Sequence, residues 1–242
     1  MEQSLVIIPT YNEIENIAAM IEKVFSLGEQ FDLLIVDDGS PDGTADLVRR
    51  AQASCGDRLH LIERSGKLGL GTAYITGFKW ALERGYDYIF EMDCDFSHNP
   101  DDLLRLLARA REGYDVVVGS RYIKGVNIIN WPMSRLLLSF TASQYVRFIT
   151  RMQVRDATAG FVCYSRRVLE TIDLDRVKMK GYGFQIEMKY TAHRLGFKIS
   201  EVSIIFTERQ EGNSKMSGGI FGEALFGVVR LPFRRFKAKR NR

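Results

Sequence analysis

The sequence predicts an α/β fold, in which one domain is built around a mainly parallel central sheet flanked by helices, with amphipathic helices at its periphery. Two observations lead to this prediction. Short apolar runs alternate with amphipathic segments along the first two thirds of the 242 residues, as they do in strand–helix–strand units. The chain is 45% hydrophobic and 26% charged, which supplies a full core and differs from the composition of disordered chains.

The individual elements follow from the spacing of the apolar residues. Helical spacing predicts helices at residues 15–25, 44–53, 72–84 and 101–111. The last of these begins at Asn99-Pro100-Asp101-Asp102, where the proline and the acids suit a first helical turn. Short apolar runs predict strands at residues 5–8, 33–36, 59–62, 88–92 and 116–118, with further strand signals at 160–164 and 199–206.

Two amphipathic segments follow the alternating part of the chain. Residues 133–152 combine leucines and aromatic residues with arginines, and residues 220–236 precede a basic tail. The first segment fits a helix that faces the core, which periodicity alone favours. It also fits a helix that lies on a bilayer with its arginines at lipid phosphates. Both interpretations stay open at the level of sequence.

The cysteines and the chain ends bear on the cellular context. Three cysteines without a CxxC pair argue against a disulfide framework or a zinc site, and they suit a reducing compartment. No apolar run reaches the roughly 18 to 20 residues of a membrane span. The strand pattern begins within the first residues, so we expect no signal peptide. The basic tail at 230–242 suits a membrane surface or a nucleic acid, but no nucleic-acid recognition motif accompanies it.

Acidic clusters follow two of the predicted strands. Asp37 and Asp38 end one strand, and Asp93 and Asp95 end another. Ligands of parallel sheets collect beyond the carboxyl ends of the strands. Two carboxylates one residue apart repel each other unless a cation intervenes, and Mg²⁺ or Mn²⁺ bound to phosphate is a suitable partner. The two clusters together predict a nucleotide-sugar pocket. His98 follows the second cluster, where we expect a helix-start or surface role rather than catalysis.

A glycine-rich stretch runs from Lys67 to Tyr74 and opens a predicted helix. It lacks the third glycine of a dinucleotide-binding fingerprint, and the chain has no GxxxxGK[ST] loop. A Rossmann dehydrogenase and a P-loop enzyme are therefore poor fits. We expect the glycines to allow close backbone packing and Lys67 to be available to a phosphate.

Several motifs in order carry a resemblance to a known family. The chain resembles the dolichol-phosphate mannosyltransferases, which are GT-A glycosyltransferases of family 2, over roughly residues 4–220. The joint order of the motifs is more specific than any one of them. They are Pro9-Thr10-Tyr11-Asn12-Glu13, Val36-Asp37-Asp38-Gly39-Ser40, Met92-Asp93-Cys94-Asp95-Phe96-Ser97, Gly119-Ser120-Arg121-Tyr122, Gly181-Tyr182-Gly183-Phe184-Gln185 and Glu208-Arg209-Gln210-Glu211-Gly212-Asn213-Ser214-Lys215.

The resemblance implies a GT-A catalytic domain over residues 1–215, with an acceptor-side helix at 133–152. It implies a membrane-facing amphipathic helix and basic tail over 216–242. The implied metal ligands are Asp93, Asp95 and Ser97. The implied nucleotide-sugar contacts are Pro9, Tyr11, Glu13, Asp37, Asp38, Lys67, Asp93 and Lys215. The implied catalytic residues are Asp95, Arg121, Arg135 and Arg209, and the implied acceptor-phosphate contacts are Arg121, Arg135 and Ser139.

The expected activity is transfer of mannose from GDP-mannose to a polyprenyl phosphate, with Mg²⁺ or Mn²⁺ as cofactor. A phosphate monoester is already an anion near neutral pH, so a single displacement with inversion needs no catalytic base. We expect the protein to be attached peripherally to the cytoplasmic face of a membrane. A membrane subunit is a further candidate partner. The alternatives are a UDP-sugar donor, a polysaccharide or protein acceptor, and an inactive protein that binds nucleotide-sugars.

Overall fold

The computed structural model describes residues 2–28, 31–208, 227–234, 236 and 238–239. Three predicted features lie outside the described residues, namely Arg209, Lys215 and residues 216–226 of the C-terminal segment. The two arginines and two aspartate pairs of the predicted site that precede residue 209 are all described.

A seven-stranded sheet forms the centre of the domain, in the order β3-β2-β1-β4-β7-β5-β8. β7 runs antiparallel to both its neighbours, β4 and β5, and the other pairings are parallel. A second, two-stranded sheet joins β6 to β9. The strands are β1 Ser4–Thr10, β2 Phe31–Asp37, β3 Leu59–Glu63, β4 Tyr88–Glu91, β5 Val116–Ser120, β6 Ile128–Ile129, β7 Val162–Ser165, β8 Ile199–Ser203 and β9 Phe206–Thr207.

Helices cover both faces of the large sheet. Alternate residues of β1 enter different cores: Leu5 and Ile7 face one side, and Val6 and Ile8 face the other, all fully buried. A strand that is buried on both faces consists of consecutive apolar residues. This is why the sequence pattern predicts β1. The helices are α1 Ile17–Phe25, α2 Thr44–Cys55, α3 Leu70–Arg84, α4 Asp102–Arg111, α5 Met133–Thr150, α6 Arg166–Thr171 and α7 Tyr182–Arg194.

The predicted architecture is confirmed in its main features. Each predicted strand and helix of the alternating part is present with its ends shifted by a few residues, which is the ordinary uncertainty of element boundaries. The sequence analysis did not predict α6 or α7. In α7 the buried residues include Gln185, Glu187 and Lys189, so polar side chains occupy the positions at which an apolar stripe would have revealed a helix.

The described part of the C-terminal segment packs against the domain. Val228 and Leu231 are 1% and 0% exposed and share a small core with Val146 of α5 and Tyr190 of α7. Phe236 contacts the ring of Tyr190 edge-on at 5.3 Å. This segment is therefore attached to the helices that border the predicted acceptor side.

Candidate active site

The sheet topology gathers the predicted site at one edge. β1, β2, β4 and β5 are oriented alike, so their carboxyl ends and the residues that follow meet there. β7 is antiparallel, and its amino end therefore lies at the same edge. The segment before β7, which contains Asp156, consequently faces the residues after β4 and β5.

Asp37 lies at the end of β2 and is 1% exposed. Its Oδ1 accepts hydrogen bonds from the hydroxyls of Thr10 at 2.8 Å and Ser40 at 2.6 Å, and its Oδ2 accepts one from the backbone N–H of Ser40 at 2.8 Å. Thr10 is within reach because it pairs with Asp37 in the β1–β2 register. The carboxylate thus fixes the loop that follows β2. Its direct contact with a nucleoside stays a prediction.

Asp38 is 6% exposed and joins the same loop to the glycine-rich stretch. Its Oδ1 accepts a hydrogen bond from Arg64 Nε at 2.6 Å, and its Oδ2 accepts one from the backbone N–H of Leu68 at 3.2 Å. The charge of this buried carboxylate is therefore neutralised by Arg64. The sequence analysis did not identify Arg64, because nothing in the spacing of the two residues indicates their contact.

Lys67 and Tyr11 lie together on the nucleotide side. The Lys67 ammonium lies 5.1 Å from the centroid of the Tyr11 ring, a distance at which a cation and an aromatic face attract. Asn12, the next residue, has φ of +54°, a conformation that is unusual outside glycine and recurs at binding sites. Tyr11 therefore adjoins a left-handed loop residue, a conformation that asparagine adopts more readily than most side chains.

Glu13 and Pro9 complete the predicted nucleotide side. Glu13 is 7% exposed, its backbone N–H donates to Thr44 Oγ1 at 3.0 Å, and Asn16 donates to its Oε2 at 3.0 Å. Pro9 lies in β1 opposite Val36 of β2. These contacts tie the loop after β1 to the start of α2.

Close packing at Gly71 confirms the structural role predicted for the glycine-rich stretch. A Cβ added at Gly71 would lie 2.9 Å from the ring of Phe184 at the start of α7. That distance is shorter than side chains tolerate, so only glycine lets α3 approach α7 here. The glycine serves helix packing, as expected.

Asp93 and Asp95 follow β4 at the centre of the edge. Asp95 is 8% exposed, and its Oδ1 accepts a hydrogen bond from the backbone N–H of Ser97 at 3.1 Å. Phe96, which lies between Asp95 and Ser97, has φ of +56°. The resulting turn brings the Ser97 amide back to Asp95. The Asp93 side chain is 40% exposed. The Asp95 carboxylate is therefore held by a backbone amide, and the Asp93 side chain is partly exposed to solvent.

The donor set at this turn suits a metal ion that also binds a diphosphate. The Ser97 hydroxyl is buried and has no hydrogen-bond partner among the described residues, as expected of a group that awaits a ligand. Within the described part of the chain no group of three or more His, Cys, Asp or Glu residues forms a metal cage. Two carboxylates that leave positions for phosphate oxygens and water are typical of Mg²⁺ sites.

The surface role predicted for His98 is wrong. The side chain is 3% exposed and lies between the rings of Phe161 and Phe206, with centroid distances of 5.1 and 5.2 Å. Burial lowers the pKa of His98 to about 4. The imidazole is therefore neutral at physiological pH, and its 3.9 Å approach to Asp93 Oδ2 is no salt bridge. His98 therefore supports the turn that carries Asp93 and Asp95 from the core side.

Arg121 follows β5 and is 6% exposed. Its Nε donates to Asp156 Oδ2 at 2.7 Å and its Nη2 donates to Asp156 Oδ1 at 2.6 Å, with a further bond from Nη2 to Thr158 Oγ1 at 2.9 Å. Burial alone would lower the pKa of Arg121, but Asp156 outweighs it and raises that pKa above its ordinary value. Two of the three guanidinium nitrogens are therefore held by protein groups, and the arginine is rigidly oriented.

Arg135 of α5 lies beside Arg121. Both guanidinium groups contact the ring of Trp131, at 4.1 Å for Arg135 and 5.6 Å for Arg121. Arg135 also forms an ion pair with Glu208, and its side chain is 39% exposed. The structure therefore brings together two of the predicted phosphate-binding arginines around one aromatic ring.

Ser139 lies one turn further along α5 and contacts the residue after Arg121. Its Oγ accepts a hydrogen bond from the hydroxyl of Tyr122 at 2.9 Å. A serine hydroxyl that accepts one bond can still donate another. The predicted acceptor contact is thus oriented by Tyr122, and its role toward a phosphate stays a prediction.

Comparison with known families decides the class of the protein. The model of glycosyl transferase family 2 matches residues 5–173, which is more than half of the chain. The chain belongs to glycosyl transferase family 2. The matched region contains both acidic strand ends, Arg121 and Arg135, so this part of the glycosyltransferase's predicted site lies within the family domain, whereas Arg209 and Lys215 follow it.

Two curated relatives align with nearly the whole family-2 enzyme. A polyprenol monophosphomannose synthase of Mycolicibacterium smegmatis is 48% identical over 228 residues, covering 94% of this chain and 86% of the relative. An undecaprenyl-phosphate mannosyltransferase of Micrococcus luteus is 47% identical over 226 residues, covering 93% of this chain and 92% of the relative. The resemblance to polyprenyl-phosphate mannosyltransferases is therefore confirmed.

Solved structures with the same architecture support the fold of the glycosyltransferase. Glucosyl-3-phosphoglycerate synthase of Mycobacterium tuberculosis, in complex with Mn²⁺, UDP and phosphoglyceric acid, superposes with a TM-score of 0.68 over 96% of this chain and 78% of that chain. The sequence identity is 20%, so the likeness concerns the fold alone. The predicted GT-A fold is confirmed.

The sequence analysis missed the partners of the predicted arginines. Asp156 is separated from Arg121 by 35 positions and Glu208 from Arg135 by 73. No spacing rule connects residues so far apart. Asp156 reaches Arg121 because β7 lies antiparallel between β4 and β5, and Glu208 reaches Arg135 because β9 pairs with β6 just before α5. Asp156 had one detectable signal, since an acid inside the small-residue stretch Asp156-Ala157-Thr158-Ala159-Gly160 is unusual for a solvated loop.

Proposed function

We propose that this family-2 glycosyltransferase transfers mannose from GDP-mannose to a polyprenyl phosphate, by a single displacement with inversion at the anomeric carbon. The observation that supports this most is the pairing of Arg121 and Arg135 around Trp131 at the same sheet edge as Asp93 and Asp95. The two arginines suit the acceptor phosphate, and the two carboxylates, through a metal ion, suit the donor diphosphate. The transferred sugar would lie between these two anions. The names of both curated relatives agree with this acceptor.

The acceptor phosphate provides its own nucleophile. It carries roughly −1.5 to −2 charge near neutral pH, so an oxygen of the phosphate attacks the anomeric carbon without prior loss of a proton. The bond between that carbon and the nucleoside diphosphate oxygen breaks, and its electron pair leaves with the diphosphate. The protein need only bring two anions together and hold them in line.

Arg121 and Arg135 meet the first of these requirements. A guanidinium binds phosphate oxygens through parallel N–H bonds. Arg121 is fixed by Asp156, whereas Arg135 is partly exposed on α5. We infer that Arg121 supplies a fixed positive charge and that Arg135 reaches the acceptor as it enters.

Asp93 and Asp95 would hold the metal ion, with Ser97 beside them. A bound Mg²⁺ or Mn²⁺ neutralises the negative charge that develops on the leaving diphosphate. The protein prepares for this by holding Asp95 through the Ser97 amide. We infer that Tyr11 and Lys67, whose ammonium lies 5.1 Å from the Tyr11 ring, contact the nucleoside and its phosphates.

The exposed face of α5 suits a membrane surface. Of its 18 residues, Ser143, Val146 and Thr150 are buried, while apolar side chains on the rest of the helix stay in contact with solvent. No helix in the described part of the chain has both the length and the apolar content of a membrane span. We infer that α5 lies on the cytoplasmic face of the bilayer beside the acceptor site, with the C-terminal segment next to it. The most exposed apolar residues of α5 are Met133 at 66%, Leu137 at 55%, Leu138 at 51% and Phe148 at 83%.

A donor assay tests the proposed function. The purified protein is given GDP-mannose, UDP-glucose or UDP-N-acetylglucosamine, with polyprenyl phosphate in vesicles and Mg²⁺ or Mn²⁺, and the lipid-linked sugar is measured. We expect product from GDP-mannose that disappears with EDTA. If only a UDP-sugar gave product, the donor would be a UDP-sugar and the proposed GDP-mannose donor would be wrong. If no donor gave product, an inactive protein that binds nucleotide-sugars would be favoured.

Arg135→Ala is expected to raise the KM for polyprenyl phosphate about 10-fold or more, because a charged hydrogen bond contributes roughly 1.5–3 kcal/mol. The KM for GDP-mannose should change less than about twofold. Arg105→Ala is a matched control, since Arg105 also has a carboxylate partner and a half-exposed side chain but lies on α4. An effect confined to GDP-mannose would contradict the acceptor role.

Phe148→Glu is expected to weaken binding to anionic vesicles about tenfold, because it removes roughly 1.5–3 kcal/mol of apolar burial in the interface. The measurement is vesicle sedimentation. Gln144→Glu adds the same charge to the same helix without removing apolar surface, and its effect should be smaller. Equal sedimentation of wild type and Phe148→Glu would exclude this face of α5 from the membrane contact.

A further inference from the structure

Lys189 is a fully buried cation on α7, 0% exposed. Its ammonium donates to the backbone carbonyls of Ala159 at 2.7 Å, Ala157 at 3.2 Å and Gln185 at 3.2 Å, and it lies 3.4 Å from Gln185 Oε1. A lysine is almost never buried to this degree without partners. The N–H groups of the Lys189 ammonium therefore bond mainly to backbone carbonyls rather than to a side chain.

The carbonyls that Lys189 holds alternate with the residues that hold Arg121. Asp156 and Thr158 bond the guanidinium through their side chains. Ala157 and Ala159, the intervening residues, turn their carbonyls to Lys189. One short segment, residues 156–159, thus faces the arginine on one side and the lysine on the other, and a shift at either contact moves both.

A second carboxylate fixes the beginning of the same segment. The backbone N–H groups of Arg155 and Asp156 donate to Glu201 of β8 at 2.9 and 3.0 Å. Glu201 therefore anchors the amides while Lys189 anchors the carbonyls. The segment is a turn rather than a helix or strand, so its conformation depends on these side-chain contacts together with the bonds to Arg121.

Glu91 offers a competing explanation for Lys189. It lies at the end of β4 and is 0% exposed, and its charged form is favoured by the Lys189 ammonium and by the side chain of Gln185. Burial raises the pKa of Glu91 and lowers that of Lys189, and the attraction between the two opposes both shifts. On this explanation the lysine would only compensate a buried charge. The two explanations make different predictions for a variant that lacks both charges.

We propose that Lys189 is a positioning residue, which holds residues 156–159 in the conformation that presents Asp156 and Thr158 to Arg121. This deepens the proposed function and rests on it where kinetics are concerned. Through Asp156 the lysine sets the direction of the guanidinium that meets the acceptor phosphate. Lys189 itself contacts neither substrate.

The test compares Lys189→Met, Glu91→Gln and the double variant Lys189→Met/Glu91→Gln. Lys189→Met alone leaves Glu91 buried without a neighbouring cation and is expected to lose thermal stability. The double variant removes both charges and should regain the part of this stability that an unpaired Glu91 costs, while the carbonyls of Ala157 and Ala159 stay without their donor. Lys198→Met is the matched control, because Lys198 is exposed at the start of β8.

Hydrogen–deuterium exchange of a peptide covering residues 155–161 is the first measurement, and it needs no activity. We expect faster exchange in the double variant than in Glu91→Gln, because the carbonyls of Ala157 and Ala159 have lost their donor. Equal exchange in these two variants would overturn the proposal. If the wild type transfers no mannose, the proposed function fails while this measurement still decides the role of Lys189.

Kinetics are the second measurement. We expect the double variant to lose about 10- to 100-fold in kcat/KM for polyprenyl phosphate relative to Glu91→Gln, a loss typical of residues that orient a ligand-binding side chain. The affinity for GDP, measured by calorimetry, should stay within about twofold of the wild type. A change of that size is small against the expected loss in kcat/KM. Full recovery of kcat/KM together with stability in the double variant would show that Lys189 serves only to compensate Glu91.

Discussion

Asp95→Ala is expected to lower kcat for mannosyl transfer at least about 1,000-fold, because stabilising the charge of a leaving diphosphate is worth several kcal/mol and each 1.36 kcal/mol is a factor of ten. The domain should remain folded. Asp95 lies in the turn after β4, where its Oδ1 accepts a local hydrogen bond from the Ser97 amide, and alanine fits the same space. The measurement is initial rate with saturating GDP-mannose, alongside a thermal melt.

A metal titration separates loss of the cation from loss of the fold in this variant. Wild-type activity should fall with EDTA and return with Mg²⁺ or Mn²⁺, whereas Asp95→Ala should respond to neither. Asp101→Ala is the matched control, because Asp101 is 54% exposed in an ion pair with Lys23 and belongs to the next helix. Full activity of Asp95→Ala would remove this carboxylate from the mechanism.

The part of the site that the sequence predicted is the part encoded locally. Asp37 and Asp93 follow apolar runs directly, and parallel strands must bring their ends to one edge. The doubly buried strands themselves are continuous runs, as in Val116–Ser120, and such runs are hard to mistake. For these elements sequence and structure carry the same information.

The part that the sequence could not predict depends on the antiparallel strand β7. Its insertion between β4 and β5 brings Asp156 to Arg121 across 35 positions. Local patterns do not encode such a pairing, because it depends on the order of strands in the sheet. His98 was assigned to the surface for a related reason, since Phe161, which covers it, precedes β7.

Buried polar residues on α7 explain the missed helix. Lys189 and Glu187 are 0% and 1% exposed, although a charged residue at helical spacing normally marks the solvent face. Both have partners that lie far away in sequence, the carbonyl of Ala159 for Lys189 and Arg234 for Glu187. Positions at which local patterns mislead are expected near functional sites, and here they border the predicted acceptor side.

The C-terminal segment shows the same dependence on distant contacts. Sequence analysis assigned residues 216–242 to a membrane-facing appendage, and of these the structure describes 227–234, 236 and 238–239. Leu231 is fully buried against the domain, whereas Phe233 is 85% exposed. Membrane contact by this segment stays a prediction, with Phe233 as the described aromatic residue that is available for it.

Asp156→Ala is expected to destabilise the domain by about 3–5 kcal/mol, because it leaves the buried guanidinium of Arg121 without its counter-ion. For a domain of this size the melting temperature should fall by roughly 10 °C. Glu170→Ala is the matched control. Glu170 also pairs with an arginine, but its side chain is 49% exposed, and such surface pairs contribute about 0–1 kcal/mol.

The destabilisation caused by Asp156→Ala depends on pH, and the sign of this dependence follows from the pKa of Asp156. Burial would raise the pKa of Asp156, but Arg121 outweighs it and holds the pKa below its ordinary value of 3.8. A carboxyl with a lowered native pKa contributes stability above its unfolded pKa and loses it as pH falls through the native one. The difference in unfolding free energy between wild type and Asp156→Ala should therefore be constant near pH 7 and shrink below pH 3.8.

A double variant separates the role of the pair in stability from its role in transfer. Arg121→Met/Asp156→Leu replaces two buried charges by apolar side chains, a change that is often neutral or stabilising. We expect its melting temperature to return toward that of the wild type while mannosyl transfer stays at least about 100-fold lower, as removal of one charged donor at a reacting anion typically costs. A stable double variant with full activity would show that Arg121 only supports the fold, and Arg135 would then be the described arginine left for the acceptor phosphate.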